Sequence, residues 1–203
     1  MDNFIYKFEK SLTTEICQNL INLFKDPRHK NKINPGPMNN QTKITGVFSY
    51  DALILGSSSA PFYKILEENI SVYKKKYPYL SRRPFKIDDL CYLQKYKPGS
   101  SYSVEHCENG GNDGQLGNMS LRNLAWMFYL NDIKNDGGTC FPNQGLTLTP
   151  CSGDLYIWPA YWTHSHYGVA AQNEEKYIIT GWCRYLNISE NEKLFNFIKS
   201  RKK

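Results

Sequence analysis

Side chains that could bind one metal ion together stand at two places in the chain. His106 and Glu108 are two residues apart, with Cys107 between them. Residues i and i+2 of an extended strand point to the same face, so the donor atoms of this pair can converge on one ion. A histidine from a distant segment, either His164 or His166, would complete a set of two imidazoles and one carboxylate.

Two imidazoles and one carboxylate on one face of an ion leave its other positions open. This facial arrangement is typical of non-haem iron(II) oxygenases, in which two open positions chelate a 2-oxo acid and the last takes dioxygen. The His106-x-Glu108 pattern alone is not specific, because a surface histidine beside acidic residues would look the same. The remaining histidine, His29, lies in a polar loop segment and is not expected to be a ligand.

The elements that must position these residues are mostly helical in the first part of the chain. A strand is expected at residues 4–8, and helices at 14–25, 61–77 and 190–199. Thr13 or Thr14 can cap the first helix, because a hydroxyl at that position accepts from free backbone N–H groups. Ser189 and Glu192 have the spacing of a capping box for the last helix.

After residue 88 the apolar residues alternate with a period of two, as they do in strands. Short strands are predicted at 89–96, 102–107, 123–131, 139–141, 146–149, 154–158, 164–169 and 176–185. Glycine, proline and asparagine separate these segments. Many short strands at close spacing predict a mainly β fold with flanking α-helices, of the sandwich or jelly-roll type.

The length of 203 residues suits one domain with a substantial core. We expect a single domain over residues 1–203, with a helical N-terminal part at about 1–85, a jelly-roll core at about 86–186 and a C-terminal helix at about 188–200. The polar segments 30–46 and 109–121 are long for simple connections, so they are candidate lids over a site.

Charge and cysteine content narrow the class of protein. The net charge of +6 comes largely from basic clusters that are typical of solvated surface. No basic face with regularly interleaved aromatic residues is evident, so nucleic acid is not an expected partner. No stretch has the length of a membrane span. Six scattered cysteines and an N-terminus without a signal-peptide pattern predict reduced thiols in a cytoplasmic protein.

Several motifs follow one another in a fixed order between residues 89 and 185. They are LQKYKPG at 93–99, His106-x-Glu108, FYLND at 128–132, GGT at 137–139 with FP at 141–142, GDLYIW at 153–158, and His166 followed by Lys176 and Trp182. This ordered set resembles the prolyl 4-hydroxylase-like group of the 2-oxoglutarate- and Fe(II)-dependent oxygenases. No single motif is decisive, but the order is hard to obtain by chance.

The resemblance implies a double-stranded β-helix with helices packed on one sheet. It also implies that His106, Glu108 and His166 are the metal ligands. The basic residue that holds 2-oxoglutarate in this family stands ten residues after the second histidine, and Lys176 is ten residues after His166. His164 would then lie two residues away on the same face, beside the ligands or the substrate, or simply as part of a partly buried polar surface.

Further roles follow from the same resemblance. Lys176 would pair with the far carboxylate of 2-oxoglutarate, Tyr96 and Tyr129 would line or hydrogen-bond this cosubstrate, and Trp182 would pack against it. For these aromatic residues, packing in the core stays an open alternative. No catalytic residue is expected beyond the metal ligands. The family usually has aspartate where this chain has Glu108, whose extra methylene requires a longer distance to the ion or a folded side chain.

The expected function is hydroxylation of a C–H bond with Fe(II), 2-oxoglutarate and O2, with succinate and CO2 as co-products and ascorbate as an accessory. A peptide or a small molecule is the expected partner. Prolyl residues, free amino acids, nucleic-acid bases and other metabolites stay open, and the family likeness favours proline. One alternative is a non-catalytic metal-binding cupin or jelly-roll module. Another is a cupin-type metalloenzyme that does not use 2-oxoglutarate and would add His164 to the ligand set.

Overall fold

The computed structural model describes residues 2–28, 60–110 and 118–200. The helices in these ranges are α1 (Thr14–Asn22), α2 (Ala60–Lys76) and α3 (Ile188–Ser200). The strands are β1 (Tyr6–Phe8), β2 (Phe85–Tyr96), β3 (Arg122–Tyr129), β4 (Thr139–Phe141), β5 (Leu146–Thr147), β6 (Leu155–Pro159), β7 (Tyr167–Gly168) and β8 (Lys176–Tyr185). Short 3-10 helices lie at Pro78–Arg82, Asn118–Leu121, Pro142–Gln144 and Trp162–His164.

The strands form two antiparallel sheets. The larger sheet has the order β1-β6-β3-β8-β2, and the smaller has the order β5-β4-β7. Strand β8 lies between β2 and β3, with Lys176 opposite Tyr96 at one end and Trp182 opposite Ala125 nearer the other. The prediction of a mainly β jelly roll with flanking helices is therefore confirmed.

The two faces of the large sheet bury different sets of side chains, as the period of two requires. The outer core, between this sheet and helices α1 and α2, includes Leu20, Phe62, Leu66, Trp126 and Phe128. The inner core, between the two sheets, includes Ala125, Met127, Tyr129, Phe141 and Trp158. Residues of β3 thus alternate between the helices and the inner space in which the candidate site lies.

A glycine in β8 lets the outer core pack closely on the sheet. A Cβ atom added to Gly181 would lie 2.4 Å from Cζ2 of Trp126. Since Trp126 is fully buried, its indole has no room to move away. The absence of a side chain at this position is therefore a packing requirement.

The predicted helices are confirmed, with small changes at their ends. The hydroxyl of Thr13 accepts from the backbone N–H of Ile16 at 3.3 Å, so Thr13 is the cap of α1. Helix α1 ends at Asn22, three residues before the predicted end. Helix α2 is displaced from its predicted bounds by a single residue.

The predicted capping box of α3 is wrong by two residues. Oδ1 of Asn187 accepts from the N–H of Glu190 at 2.9 Å, and Oε2 of Glu190 accepts from the N–H of Asn187 at 3.0 Å. Ser189 therefore lies inside the helix. Both pairs have capping-box spacing, but Glu190 also forms an ion pair at 2.7 Å with Arg184 of β8. Lys86 of β2 pairs with the same glutamate at 3.2 Å, and these contacts with the sheet decide where the helix begins.

Two of the strand predictions are wrong, because most of their residues do not form strands. Residues 102–107 contain only an isolated bridge at His106. In the segment 164–169, only Tyr167–Gly168 forms a strand, preceded by an isolated bridge at His166, because the 3-10 helix continues to His164. Strand β2, by contrast, begins four residues before its predicted start. Alternation over so few residues does not separate a strand from a turn, because the pairing partner decides between them.

Among the described residues, no helix has the length and apolar character needed to cross a membrane. All six cysteines have described positions, and each is a free thiol. Three of them are buried, namely Cys17, Cys91 and Cys183, and the other three are partly exposed. The predicted lid segment 30–46 lies outside the described residues, as do residues 111–117 of the second predicted lid.

Candidate metal centre

His106 and His166 lie directly opposite each other in an isolated antiparallel bridge. The N–H of His106 donates to the carbonyl of His166 at 3.0 Å, and the N–H of His166 donates to the carbonyl of His106 at 2.9 Å. Directly opposed residues place their side chains on the same face of the ladder. The two ring centroids are 4.6 Å apart. Both imidazoles therefore face one small volume.

Backbone carbonyl groups orient the two imidazoles from behind. Nδ1 of His106 lies 2.8 Å from the carbonyl oxygen of Val104, and Nδ1 of His166 lies 2.9 Å from that of His164. A carbonyl oxygen can only accept, so Nδ1 carries the proton in each neutral ring and Nε2 keeps its lone pair. Metal-binding histidines are commonly oriented in this way. Both Nε2 atoms are therefore available as donors to a metal ion.

The carboxylate of Glu108 faces both of these nitrogens. Its Oε1 lies 3.3 Å from Nε2 of His166 and 3.6 Å from Nε2 of His106. Burial alone would raise the pKa of Glu108. When the imidazoles also carry a proton on Nε2, their hydrogen bonds and positive charge outweigh burial and hold this pKa below its ordinary value. The carboxylate is therefore ionised, as a metal ligand has to be.

His164 does not join this group, and the expectation that it shares a face with His166 is wrong. It ends the 3-10 helix instead of lying in a strand, so the alternation that would align the two side chains is absent. Its Nε2 lies 2.8 Å from the carbonyl oxygen of Asn3, and its Nδ1 lies 2.9 Å from the hydroxyl of Thr163. Only its backbone carbonyl supports His166. The described residues thus do not form the three-histidine set of the second alternative.

The three converging side chains line a cavity of about 290 Å³ between the two sheets. Its walls from β2, β3 and β8 include Tyr92, Gln94, Tyr96, Met127, Ile178 and Thr180. Apolar walls with a few convergent polar groups are the usual composition of a small-molecule site.

Lys176 lies in the same cavity, and its ammonium group has no acidic partner among the described residues. The residue is 3% exposed. Its Nζ donates to the carbonyls of Gly137 at 2.9 Å and Val169 at 3.3 Å, and lies 4.8 Å from the ring centroid of Tyr96. Burial lowers the pKa of Lys176 from 10.5 to about 8. A buried cation without a counter-charge is unfavourable, so the cavity favours a ligand that brings a carboxylate.

The two predicted tyrosines lie near Lys176 in different ways. Tyr96 lines the cavity, and its hydroxyl donates to Oε1 of Gln94. Tyr129 is fully buried, and its hydroxyl lies 3.0 Å from the hydroxyl of Thr139. Thr139 itself lines the cavity. Any influence of Tyr129 on a ligand would therefore pass through Thr139, which the sequence did not mark.

Trp182 and Arg122 form a group next to Glu108. Nε1 of Trp182 donates to Oε2 of Glu108 at 2.7 Å. The guanidinium carbon of Arg122 lies 3.5 Å from the Trp182 ring centroid, and its Nη1 lies 3.8 Å from the same carboxylate oxygen. Sequence reasoning missed Arg122, because only the pairing of β3 with β8 brings it to this place. It also missed Tyr102, whose ring stands 4.3 Å from that of His106.

The side chains present fit both Fe(II) and 2-oxoglutarate. Neighbouring donors around an ion with bonds of about 2.1 Å stand roughly 3 Å apart. The separations of 3.3 and 3.6 Å between Oε1 of Glu108 and the two Nε2 atoms are close to this value. All three donor atoms lie within 4.8 Å of one another. A set of two imidazoles and one carboxylate suits Fe(II), and Lys176 supplies the positive charge that a second carboxylate needs.

Comparison with known proteins gives a sequence family and a fold. Residues 91–184 match the family described as the 2OG-Fe(II) oxygenase superfamily. A viral collagen prolyl hydroxylase from Paramecium bursaria Chlorella virus-1 is similar in structure, with a TM-score of 0.66 and 19% identity over 91% of this chain and 97% of that chain. No curated protein sequence matches the chain.

Two further solved structures have the same architecture. A prolyl-4-hydroxylase from Pseudomonas putida gives a TM-score of 0.64 at 18% identity, over 91% of this chain and 94% of that chain. A prolyl hydroxylase from Trichoplax adhaerens gives a TM-score of 0.64 at 18% identity, over 90% of this chain and 84% of that chain. The family match covers all three converging side chains and Lys176. Residues 91–184 of this chain thus match the 2OG-Fe(II) oxygenase superfamily, and the chain has the fold of the prolyl 4-hydroxylases; together these findings support a 2-oxoglutarate-dependent dioxygenase.

Proposed function

We propose that this enzyme hydroxylates a C–H bond of a prolyl residue in a peptide, or of a free amino acid, and releases succinate and CO2. One observation carries the proposal. The two imidazoles and the Glu108 carboxylate converge on the same cavity in which Lys176 is buried without an acidic partner among the described residues. One end of this cavity suits a cation and the other suits an anion, which together match an iron ion and a dicarboxylate.

In this proposal His106, Glu108 and His166 hold Fe(II). The hydrogen bonds from Nδ1 to backbone carbonyls keep both imidazoles in the tautomer that donates through Nε2. When bound, the iron with 2-oxoglutarate supplies the activation of O2 and the oxidation of the substrate. The protein positions the target carbon and limits access of water. Ascorbate is the proposed accessory reductant.

Lys176 is proposed to bind the far carboxylate of 2-oxoglutarate. Its place at the first position of β8, directly opposite Tyr96, fixes it on the inner face of the large sheet. The Tyr96 ring supports the ammonium, and Thr139 with its partner Tyr129 lies next to the same end of the cavity. Removal of the lysine should therefore affect 2-oxoglutarate much more than the metal.

A peptide is the favoured substrate. One of the similar structures is a collagen prolyl hydroxylase, and another is a prolyl hydroxylase in complex with a peptide fragment of a hypoxia inducible factor. In this chain, Trp158 lines the cavity, and the segment that follows it exposes Tyr161 by 37% and Trp162 by 75%. The residues that follow this wall of the cavity therefore offer aromatic surface that a peptide substrate could contact.

A reducing, cytoplasmic location is also proposed. It is supported by six cysteines that are all free thiols, although the chain has enough of them for three disulfides. The reactive chemistry of the site does not require any of these thiols, since none of them is among the converging donor atoms.

The test of the reaction is succinate formation. Anaerobically purified protein receives Fe(II), 2-oxoglutarate and ascorbate, and succinate is measured after oxygen is admitted. We expect turnover in the wild type and its loss in His166→Ala and in Glu108→Ala. Unchanged turnover in either variant would contradict the ligand assignment. Lys176→Ala should keep metal binding and lose 2-oxoglutarate binding, which separates the two halves of the site.

The test of the substrate is a comparison of peptides with free amino acids. Proline-containing peptides, free proline and other free amino acids are added to the same assay, and products are examined for the mass of one added oxygen atom. Stimulated succinate release with a product that carries the oxygen on proline is expected. Succinate formation that none of these compounds stimulates, with no product that carries an added oxygen atom, would show that the enzyme class is right and that the proposed substrate class is wrong.

A further inference from the structure

The two oxygen atoms of Glu108 have different surroundings. Oε1 faces the Nε2 atoms of the two histidines at 3.3 and 3.6 Å. Oε2 points the other way and accepts the indole N–H of Trp182 at 2.7 Å. A carboxylate whose second oxygen is held by a donor presents one oxygen to an ion. The side chain is 13% exposed, so little water competes with the indole for Oε2.

Trp182 is itself held firmly in place. It lies in β8, opposite Ala125 of β3, and the edge of its ring packs against Tyr92 with centroids 5.3 Å apart. The guanidinium of Arg122 covers the ring at 3.5 Å. Contacts of this kind contribute about 0.5–2 kcal/mol each. The donor to Glu108 therefore stands on a rigid strand and is fixed on more than one side.

Arg122 contacts both Trp182 and the backbone of Glu108, the proposed metal ligand. Its Nη1 donates to the carbonyl of Glu108 at 3.3 Å and lies 3.8 Å from Oε2 of the same residue. Arg122 thus contacts both ends of Glu108 as well as the face of Trp182. Since Glu108 lies in a turn and not in a paired strand, these contacts replace the rigidity that a sheet would give it.

We propose that Trp182 is a positioning residue that fixes Glu108 as a one-oxygen metal ligand, with Arg122 holding the tryptophan. This inference rests on the proposed metal centre. Glutamate has one more rotatable bond than the aspartate usual in the family, so a free Glu108 would lose more conformational entropy on binding an ion. The indole removes that freedom before the ion arrives. The contact depends on the extra methylene, so aspartate at this position would lose it.

The test is a set of metal-binding titrations on the intact protein. Co(II) is added anaerobically to the wild type, Trp182→Phe, Glu108→Asp and the double variant, and affinity and the ligand-field absorption spectrum are recorded. Loss of an outer hydrogen bond to a metal ligand typically weakens affinity 10- to 100-fold, and that is the expected loss for Trp182→Phe. Glu108→Asp should weaken binding to a similar extent, although it restores the acid usual in the family. Both changes remove the same contact. The Co(II) affinity of the double variant should therefore differ from that of Glu108→Asp alone by less than about twofold.

A matched control separates positioning from general loosening of the fold. Trp126 is also a fully buried tryptophan, on β3, but it faces the outer core. Trp126→Phe should leave Co(II) affinity and spectrum unchanged. An unchanged affinity in Trp182→Phe, an equal loss in Trp126→Phe, or losses that multiply in the double variant would each overturn the positioning role.

His166→Ala in the same titration tests the metal centre itself. Loss of binding in His166→Ala together with wild-type affinity in Trp182→Phe would reject the positioning role and leave the proposed function intact. A wild-type protein that binds no metal would reject both. Glu108→Asp is a small change on the wall of a cavity, so it keeps the proposal testable even if Trp182→Phe unfolds the protein.

Discussion

Replacing Lys176 by methionine should change the stability of the free enzyme and its affinity for 2-oxoglutarate in opposite directions. Methionine has nearly the same length and fills the same space without a charge. Burial lowers the pKa of Lys176 from 10.5 to about 8, which corresponds to roughly 3 kcal/mol against the charged form. Methionine removes this cost, but it leaves the carbonyls of Gly137 and Val169 without their donor.

The two lost hydrogen bonds cost about 1 kcal/mol each. Below pH 8, the free energy of unfolding of Lys176→Met should therefore exceed that of the wild type by an amount on the order of 1 kcal/mol. At high pH the wild type becomes more stable than Lys176→Met. Between about pH 8 and pH 10.5 the unfolded chain binds a proton at Lys176 that the folded protein does not, so the wild type gains stability as the pH rises. Lys176→Met lacks this gain. Above pH 10.5 the wild type should therefore be the more stable of the two, by roughly 2 kcal/mol.

Binding of 2-oxoglutarate should respond in the other direction. A carboxylate that loses its buried cationic partner costs roughly 3–5 kcal/mol, so affinity should fall by about 150- to 4,000-fold. Affinity of the wild type should also weaken as the pH rises above about 8, because free Lys176 becomes neutral there. The variant should lose this pH dependence as well.

The assay is urea unfolding of the wild type and Lys176→Met across the pH range, with and without 2-oxoglutarate and Co(II). Lys97→Met is the control, because it removes the same charge from an exposed lysine and should leave the pH dependence unchanged. A variant that is clearly less stable than the wild type below pH 8 would refute the idea of an uncompensated buried ammonium. Undiminished stabilisation by 2-oxoglutarate would refute the assignment of its far carboxylate to Lys176.

Other predictions test the packing around the site. Gly181→Ala should destabilise the protein by about 1–3 kcal/mol in urea, because the new methyl group would meet the fixed indole of Trp126; wild-type stability would show that the outer core can move. Asn187→Ala removes half of the capping box with Glu190, so it should cost about 1 kcal/mol and speed amide exchange in α3 about fivefold, with β8 unchanged as the internal control. In the native protein a thiol reagent should modify three cysteines rapidly and all six only after unfolding, and fast modification of the buried three would contradict the packing of the outer core.

The sequence by itself determined the elements that depend on local patterns. Apolar spacing marked α1 and α2, and short apolar segments between turn residues marked β3, β4 and β8 with nearly their observed bounds. It also determined the chemistry of the site to a large extent. His106, Glu108 and a later histidine were candidates in a chain with only four histidines, and the ordered motifs that resemble the oxygenases implied that they are the ligands.

The tertiary structure decided what depends on partners far away in the chain. His166 and not His164 faces Glu108 because residues 162–164 turn as a 3-10 helix, and the cross-strand bridge to His106 then begins at His166. Asn187 and not Ser189 caps α3 because Lys86 of β2 pairs with the glutamate of one box, Glu190, at 3.2 Å and not with that of the other.

The surroundings of Glu108 were decided in the same way. Arg122 and Trp182 meet only because β3 pairs with β8, and no pattern within either segment records that register. Local propensity reports the conformations that a segment favours by itself, at a fraction of a kcal/mol per residue. Burial and pairing across the sheet contribute more, so they choose among the local alternatives and set the final geometry of the site.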